Sequence, residues 1–167
     1  DTRALIDTGK NFKTDLTIVK TVVKSNENRK KMLTKRILTI LGNKIKNKQI
    51  TFLGVTFKPN TDDMREASSL YMIPYLVRKG VKVKYFDPSG KKDVFNNKNI
   101  EYCKNISSAC LRSDLIIIHT EWNEFKFIDF KKIVKKNNFK IYDMRNIYDP
   151  KRMKLNNIKY FAVGRSV

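Results

Sequence analysis

The chain has 167 residues, of which 41% are hydrophobic, enough for one α/β domain with a helical segment beside it and too many for a disordered chain. Its 36 Lys and Arg against 16 Asp and Glu give a formal charge of +20. These basic residues are spread along the whole chain without a nucleic-acid-binding motif, so we predict no specific nucleic-acid partner. No apolar run approaches the ~20 residues of a membrane helix, and we predict no membrane partner.

Residues 1–46 are predicted to be helical. Apolar residues at helical spacing indicate a short helix over residues 2–12 and a longer one that Asp15 caps and that continues to about Leu41. Gly42 is expected to end this second helix. Since a small domain does not need so long a helix to cover its sheet, a packing helix and a coiled-coil arm are both open interpretations.

Residues 47–167 alternate predicted strands and helices, which is typical of a Rossmann-like, doubly wound parallel sheet. The first strand is expected from Ile50 to Phe57. A later helix is expected to begin at Asn123, with Phe127 and Phe130 on its apolar face. The other strands are expected at residues 81–86, 100–102, 114–119, 139–142 and 158–163.

The connection after the first strand is rich in charged side chains. Pro59 lacks an N–H and ends the strand, and Asp63 followed by Glu66 predicts that a helix begins there. In a parallel sheet this loop lies at the carboxyl edge of the strands, where ligands bind. Either its acidic residues serve only the helix dipole, or Lys58 and Arg65 form an anion site beside the helix.

The glycines of this region do not follow a dinucleotide-binding pattern. Gly54 lies inside the first strand, so neither the G-x-G-x-x-G nor the P-loop spacing is present. Asp87 ends the second strand, where an acidic residue of a Rossmann fold would bind ribose. Without the glycines, we assign Asp87 to the turn that includes Gly90.

The second half of the chain contains the only histidine and both cysteines. His119 follows the most apolar predicted strand and is a candidate proton carrier, although a structural role is more common for an isolated histidine. Cys103 and Cys110 have no histidine near them in sequence, which argues against a metal site. We predict reduced, structural thiols in a cytoplasmic protein.

Arg145 follows the predicted fifth strand, so it lies at the same edge of the sheet as Lys58. A lysine and an arginine at the carboxyl ends of two parallel strands favour one shared anion site. This convergence is the main physical argument for a ligand at this edge.

Resemblance to a known family is carried by the sequence Phe-Lys-Pro-Asn-Thr-Asp-Asp-Met-Arg-Glu at residues 57–66. It resembles the signature of the C-terminal domain in the UDP-glucose/GDP-mannose dehydrogenase family, which includes the UDP-glucose 6-dehydrogenases. Residues 85–88, 120–125 and 142–146 resemble further segments of that family in order and spacing. The resemblance covers essentially the whole chain.

The resemblance implies an activity for the complete enzyme. Such an enzyme oxidises UDP-glucose to UDP-glucuronate and reduces two NAD, with a cysteine that forms a thiohemiacetal and then a thioester. That cysteine and the N-terminal NAD domain are not in this sequence, so we expect a later part of a longer chain that is inactive alone. The alternatives are a related dehydrogenase of UDP-N-acetylmannosamine or GDP-mannose, or a non-catalytic remnant that binds and dimerises.

The same resemblance implies roles for individual residues. Phe57, Lys58 and Arg145 match residues that bind the UDP-sugar, and Arg65 matches a residue near NAD. Asp1 matches an aspartate of the nucleophile motif that is thought to orient or activate the hydrolytic water.

The resemblance also implies a division of the chain. Residues 1–46 match part of the central helical region, which forms much of a homodimer interface. Residues 47–167 match the C-terminal domain that binds the UDP-sugar.

Overall fold

The structure, a computed structural model, describes residues 2–165, and it divides into two compact units between Arg36 and Ile37. The first unit contains α1 (Thr2–Asn11) and most of α2 (Thr17–Leu41), which confirms the two predicted helices. The predicted domain boundary after residue 46 stays a prediction.

The long helix α2 has defined ends. Before its first turn, the Asp15 carboxylate accepts hydrogen bonds from the Thr17 hydroxyl at 2.6 Å and the Lys20 ammonium at 2.5 Å. At its end, Gly42 has a φ of +84°, a conformation that glycine adopts without strain. Both ends therefore lie close to the predicted positions.

Six parallel strands form the sheet of the second unit, in the spatial order third, second, first, fourth, fifth, sixth. This order confirms the predicted doubly wound sheet, because the chain moves outward in one direction and then in the other from the first strand. The strands are β1 (Gln49–Leu53), β2 (Lys82–Phe86), β3 (Ile100–Tyr102), β4 (Leu115–Ile118), β5 (Lys140–Asp143) and β6 (Lys159–Ala162).

Short helices connect these strands, and side chains of Asn105, Asp129 and Asp149 each accept a hydrogen bond from a backbone N–H in the first turn of the helix that follows. The helices are α3 (Ser69–Arg78), α4 (Ile106–Cys110), α5 (Phe130–Val134) and α6 (Pro150–Leu155), with 3₁₀ turns at Asp93–Phe95 and Asn123–Phe127.

The core is organised around β4, all four residues of which are buried. A central parallel strand is covered by helices on both faces, which explains its continuous apolar run. On one face, Phe130 and Tyr148 contact each other edge to face, with ring centroids 5.6 Å apart. At the end of α2, Ile37 and Ile40 are also buried, and the Lys140 ammonium donates to the Ile40 carbonyl.

The first strand is shorter than predicted. It ends at Leu53 instead of Phe57, because Gly54 leaves the extended conformation with a φ of +76°. A Cβ atom on Gly54 would lie 2.5 Å from the Cβ of Thr120. Glycine is therefore needed here for both conformation and space.

The predicted helix start at Asp63 is wrong, since α3 begins at Ser69. The Asp63 carboxylate accepts a hydrogen bond from the backbone N–H of Arg65 at 2.8 Å, and Glu66 has a φ of +61°. A local turn of this kind competes with helix formation. Pro74 lies inside α3, as the sequence predicted.

The single helix predicted from Asn123 is also wrong. A 3₁₀ turn ends at Phe127, and Ile128 is extended before α5 begins at Phe130. The side chain of Phe127 is 88% exposed instead of lying on an apolar face, whereas Phe130 is buried as predicted.

Candidate functional site

The loop after β1 folds back on itself at the carboxyl edge of the sheet. The Phe57 amide donates to the Asp63 carbonyl at 3.0 Å, and the side chains of Phe57 and Lys58 are exposed. The Asp63 carboxylate accepts from the Arg65 guanidinium at 2.9 and 3.0 Å. These hydrogen bonds, with a smaller effect of the Lys58 charge, lower the pKa of Asp63 to about 2. The loop thus presents Lys58 to solvent while Arg65 is paired.

Asp87 fixes the start of this loop from the neighbouring strand. One of its carboxylate oxygens accepts from the backbone N–H of Val55 at 2.7 Å and of Thr56 at 3.3 Å. The other accepts from the N–H and hydroxyl of Ser89, at 3.0 and 2.5 Å. The predicted turn role is confirmed, and the link to the β1 loop is an addition that sequence reasoning missed. Both oxygens bind the protein itself, which does not fit a ribose-binding acid.

His119 is held by a hydrogen-bond network at the end of β4. The Thr120 hydroxyl donates to the Thr56 carbonyl at 2.9 Å, so its oxygen accepts from His119 Nδ1 at 3.0 Å. The other ring nitrogen, Nε2, then accepts from the Ser68 hydroxyl at 2.8 Å. The network therefore selects the neutral tautomer with its proton on Nδ1.

Burial, together with the positive charge of Arg145, lowers the pKa of His119 to about 3. The ring is 1% exposed and remains neutral at physiological pH. These properties favour the structural role of His119 over that of a proton carrier.

Arg145 follows β5, and its position is fixed from several directions. Its backbone N–H donates to the Asp143 carboxylate at 2.9 Å, and that buried carboxylate also accepts from the Tyr160 hydroxyl at 2.8 Å. Its Nε donates to the His119 carbonyl at 2.6 Å, and Glu121 Oε2 lies 3.0 Å from the same Nε. The guanidinium is thus held at one side, and its side chain stays partly exposed.

The structure places Lys58 and Arg145 after the carboxyl ends of β1 and β5, on the same edge of the sheet. Contacts connect the two positions. On the side of β1, the Thr56 hydroxyl donates to the Lys58 carbonyl at 3.1 Å, and the Thr56 carbonyl accepts from the Thr120 hydroxyl. Thr120 follows His119, whose carbonyl accepts from Arg145 Nε. We call this edge, formed by Phe57, Lys58 and Arg145, the rim.

Arg65 is linked to the rim through Asp63, whose carbonyl accepts from the Phe57 amide. Its side chain is 90% exposed, and it lines a cleft of about 470 Å³ between the β1 loop and residues 89–94. The buried ammonium of Lys92 in this cleft donates to the Ser89 hydroxyl at 2.8 Å, which in turn donates to Asp87. Arg65 and Lys92 thus already bind protein groups. Without a glycine fingerprint, the residues of this chain do not fit an NAD site of their own.

The remaining candidate residues have no place in the rim. Both Cys103 and Cys110 are free and buried, and burial raises the pKa of the Cys110 thiol to about 12, as expected for an inert thiol. Within residues 2–165, no group of three or more His, Cys, Asp or Glu side chains is placed to hold a metal ion. Asp1 lies outside the described residues.

Sequence reasoning identified the charged residues of the rim but missed the residues that connect them. Thr120, Glu121 and Asp87 were given no role at the site, because their contacts join segments that are distant along the chain. The only hint in the sequence that Glu121 lies near Arg145 is that both residues follow the ends of predicted strands.

Residues 51–150 match the model of the UDP-glucose/GDP-mannose dehydrogenase family, UDP binding domain. The chain belongs to this family. The match begins in β1 and ends at Pro150, so it includes the whole rim.

Two relatives are similar to this chain over nearly its full length. UDP-glucose 6-dehydrogenase of Rickettsia felis is 38% identical over 168 residues, which cover 98% of this chain and 38% of that protein. The enzyme of the same name from Rickettsia prowazekii is 37% identical over 171 residues, covering 100% and 39% respectively. The chain thus spans about two fifths of these relatives.

Solved structures share the fold. A UDP-glucose dehydrogenase from Pyrobaculum islandicum superposes with a TM-score of 0.78 at 23% identity, covering 99% of this chain and 36% of that one. NDP-N-acetyl-D-galactosaminuronic acid dehydrogenase from Methanosarcina mazei superposes with a TM-score of 0.79 at 24% identity, covering 99% of this chain and 37% of that one. No helix in the described part of this chain has both the length and the apolar character to span a membrane.

Proposed function

We propose that this chain is the UDP-sugar-binding part of an NAD-dependent UDP-glucose 6-dehydrogenase, an enzyme that oxidises UDP-glucose to UDP-glucuronate. The observation that carries the proposal is the rim, where Lys58 and Arg145 follow two parallel strands within the matched UDP binding domain. Cationic side chains form strong, charge-assisted hydrogen bonds with phosphates, and ligands bind at the carboxyl edge of such a sheet.

Each residue of the rim supplies a different kind of contact. The Nε of Arg145 is already bound to the His119 carbonyl, which leaves the two terminal nitrogens for a ligand. These nitrogens form a planar fork whose geometry suits a phosphate. Lys58 adds a mobile positive charge near the sugar. The exposed ring of Phe57 offers apolar surface to the nucleotide sugar.

UDP-glucose is favoured over the other nucleotide sugars by the relatives. The two relatives described above, at 37–38% identity, are both named UDP-glucose 6-dehydrogenase. The solved structures of UDP-N-acetylmannosamine and GDP-mannose dehydrogenases are only 17–23% identical to this chain, a likeness that indicates the same fold and nothing about the sugar.

NAD accepts hydride in the proposed reaction, and this chain contributes little to holding it. Arg65 is the one residue here for which we propose a contact to NAD, reached from its exposed position at the edge of the domain. We propose that Asp1 belongs to the nucleophile motif. The 167 residues alone are expected to show no dehydrogenase activity, and turnover by the purified chain would contradict this.

We further propose that residues 1–46 belong to a helical region that pairs two copies of the chain, and that the protein is cytoplasmic. Several large apolar side chains of this region are exposed, which supports pairing. They are Leu5, Phe12, Ile18, Val22 and Met32.

The test is calorimetric titration of the chain with UDP and UDP-glucose. We expect the Lys58→Ala and Arg145→Ala variants to bind both ligands at least roughly tenfold more weakly, because each loses a charge-assisted contact. Lys131→Ala, which removes an exposed lysine of α5, is the matched control and is expected to bind like the wild type.

A duplex DNA titration separates this function from nucleic-acid binding. Tight, salt-sensitive DNA binding together with no response to UDP would overturn the proposed site and assign a role to the +20 charge. UDP binding that both rim substitutions leave unchanged would place the nucleotide elsewhere.

A further inference from the structure

We propose that Glu121 is an internal counter-ion of Arg145 that limits the affinity of the rim for anionic ligands. The inference rests on the proposed role of Arg145 in binding the nucleotide sugar. It assigns a specificity-determining role to a residue that does not itself donate to the ligand.

The geometry at Arg145 Nε is the first argument. This nitrogen lies 2.6 Å from the His119 carbonyl oxygen and 3.0 Å from Glu121 Oε2, but its single N–H is directed at the carbonyl. The carboxylate therefore contacts the guanidinium as an ion pair without an aligned hydrogen bond at that atom.

The surroundings of Glu121 are the second argument. The Glu121 side chain is 39% exposed, but its Oε2 atom is buried and accepts no aligned hydrogen bond from the described part of the chain. A buried carboxylate oxygen without donors depends on nearby positive charge. Within residues 2–165, Arg145 is the basic residue with which Glu121 forms an ion pair.

An anionic ligand at the terminal nitrogens of Arg145 would share this guanidinium with Glu121. The ligand and the Glu121 carboxylate then repel each other, and the positive charge of Arg145 stabilises Glu121 less than before. For unit charges several ångströms apart at a half-exposed site, this repulsion corresponds to roughly a five- to tenfold change in dissociation constant.

A second role for Glu121, that of orienting Arg145, predicts the opposite effect of its removal. The His119 carbonyl already holds Nε, and the Asp143 carboxylate holds the backbone N–H of Arg145. Because these contacts remain when Glu121 loses its charge, we expect the electrostatic effect to dominate.

The experiment measures UDP and uridine binding to the wild type and to Glu121→Gln, which keeps the shape and removes the charge. We expect UDP to bind five- to tenfold more tightly at low ionic strength, with a gain that shrinks as salt is added. Uridine is neutral, so its affinity should not change.

Three variants serve as controls. Glu124→Gln removes an exposed acidic charge three residues later and should leave UDP affinity within about twofold. Glu121→Asp keeps the charge but moves it away from Arg145, so its gain in UDP affinity should be smaller than that of Glu121→Gln. In an Arg145→Gln background, Glu121→Gln should give no gain, since its partner is absent.

The outcomes separate the two proposals. Unchanged or weaker UDP binding by Glu121→Gln, with Arg145→Gln impaired, overturns the counter-ion role and leaves the rim intact. An equal gain for uridine also overturns it. If the wild type does not bind UDP, or Arg145→Gln binds it normally, the proposed function fails and this inference fails with it.

Discussion

At the scale of single residues, the buried His119 connects three segments of the site through its ring and its backbone carbonyl. His119 uses its ring to bind Ser68 and Thr120 and its backbone carbonyl to bind Arg145. The sequence indicated only an isolated histidine at a strand end, because its partner Ser68 is 51 residues away along the chain. Contacts at such separation leave no local pattern in a sequence.

The buried His119 makes stability depend on pH. Its pKa in the folded chain, about 3, lies below the value of 6.5 of an exposed histidine, so the unfolded chain binds more protons between these values. The contribution of His119 is complete above pH 6.5 and is lost as the pH falls. By pH 5 this loss is expected to reach about 2 kcal/mol in free energy of unfolding.

Denaturant titrations of the wild type and His119→Asn between pH 7.5 and 5 measure this dependence. The variant cannot titrate, and the chain has no other histidine, so the difference between the two curves isolates His119. We expect the wild-type advantage to shrink as the pH is lowered. Parallel curves would contradict the neutral, buried state of this ring.

At the scale of elements, both ends of β2 to β6 lie within one residue of the predicted positions, whereas the end of β1 and the start of α3 could not be predicted. The apolar run at β4 predicts a central strand because burial on both faces demands it. The end of β1 follows from the positive φ of Gly54, where a larger residue would meet Thr120 of another segment, and the start of α3 follows the turn that Asp63 forms with Arg65. An acidic residue can cap a helix or form such a turn, and the spacing does not distinguish the two.

The approach of Gly54 to Thr120 yields a prediction at this scale. Gly54→Ala adds a Cβ at positive φ and 2.5 Å from the Thr120 Cβ, so it should lower the free energy of unfolding by about 2 kcal/mol or more. Gly90→Ala is the matched control, because Gly90 also has a positive φ but nothing lies within 4 Å of its added Cβ. Chemical denaturation measures both, and equal losses would show that the contact with Thr120 is unimportant.

At the scale of the whole molecule, the doubly wound sheet explains why two residues far apart in sequence reach one rim. Parallel strands bring their carboxyl ends to the same edge, so the sequence alone could assign Lys58 and Arg145 to one edge of the sheet, while their common role in binding stays a prediction. The Glu121 contact could not, since it depends on the exact direction of two side chains. The fold is thus more predictable than the electrostatics of its site.

Self-association is the prediction that concerns the whole molecule. Ile18 and Val22 lie one turn apart on α2, and Ile18 is 81% exposed, an arrangement typical of a helix face that pairs with another copy. We expect the chain to sediment as a dimer at micromolar concentration and the Ile18→Ser/Val22→Ser double variant to dissociate at least roughly tenfold more readily. Leu155→Ser, at a similarly exposed position on α6, should not change the dimer. A monomeric wild type, or a dimer that tolerates the double substitution, would exclude this face as the interface.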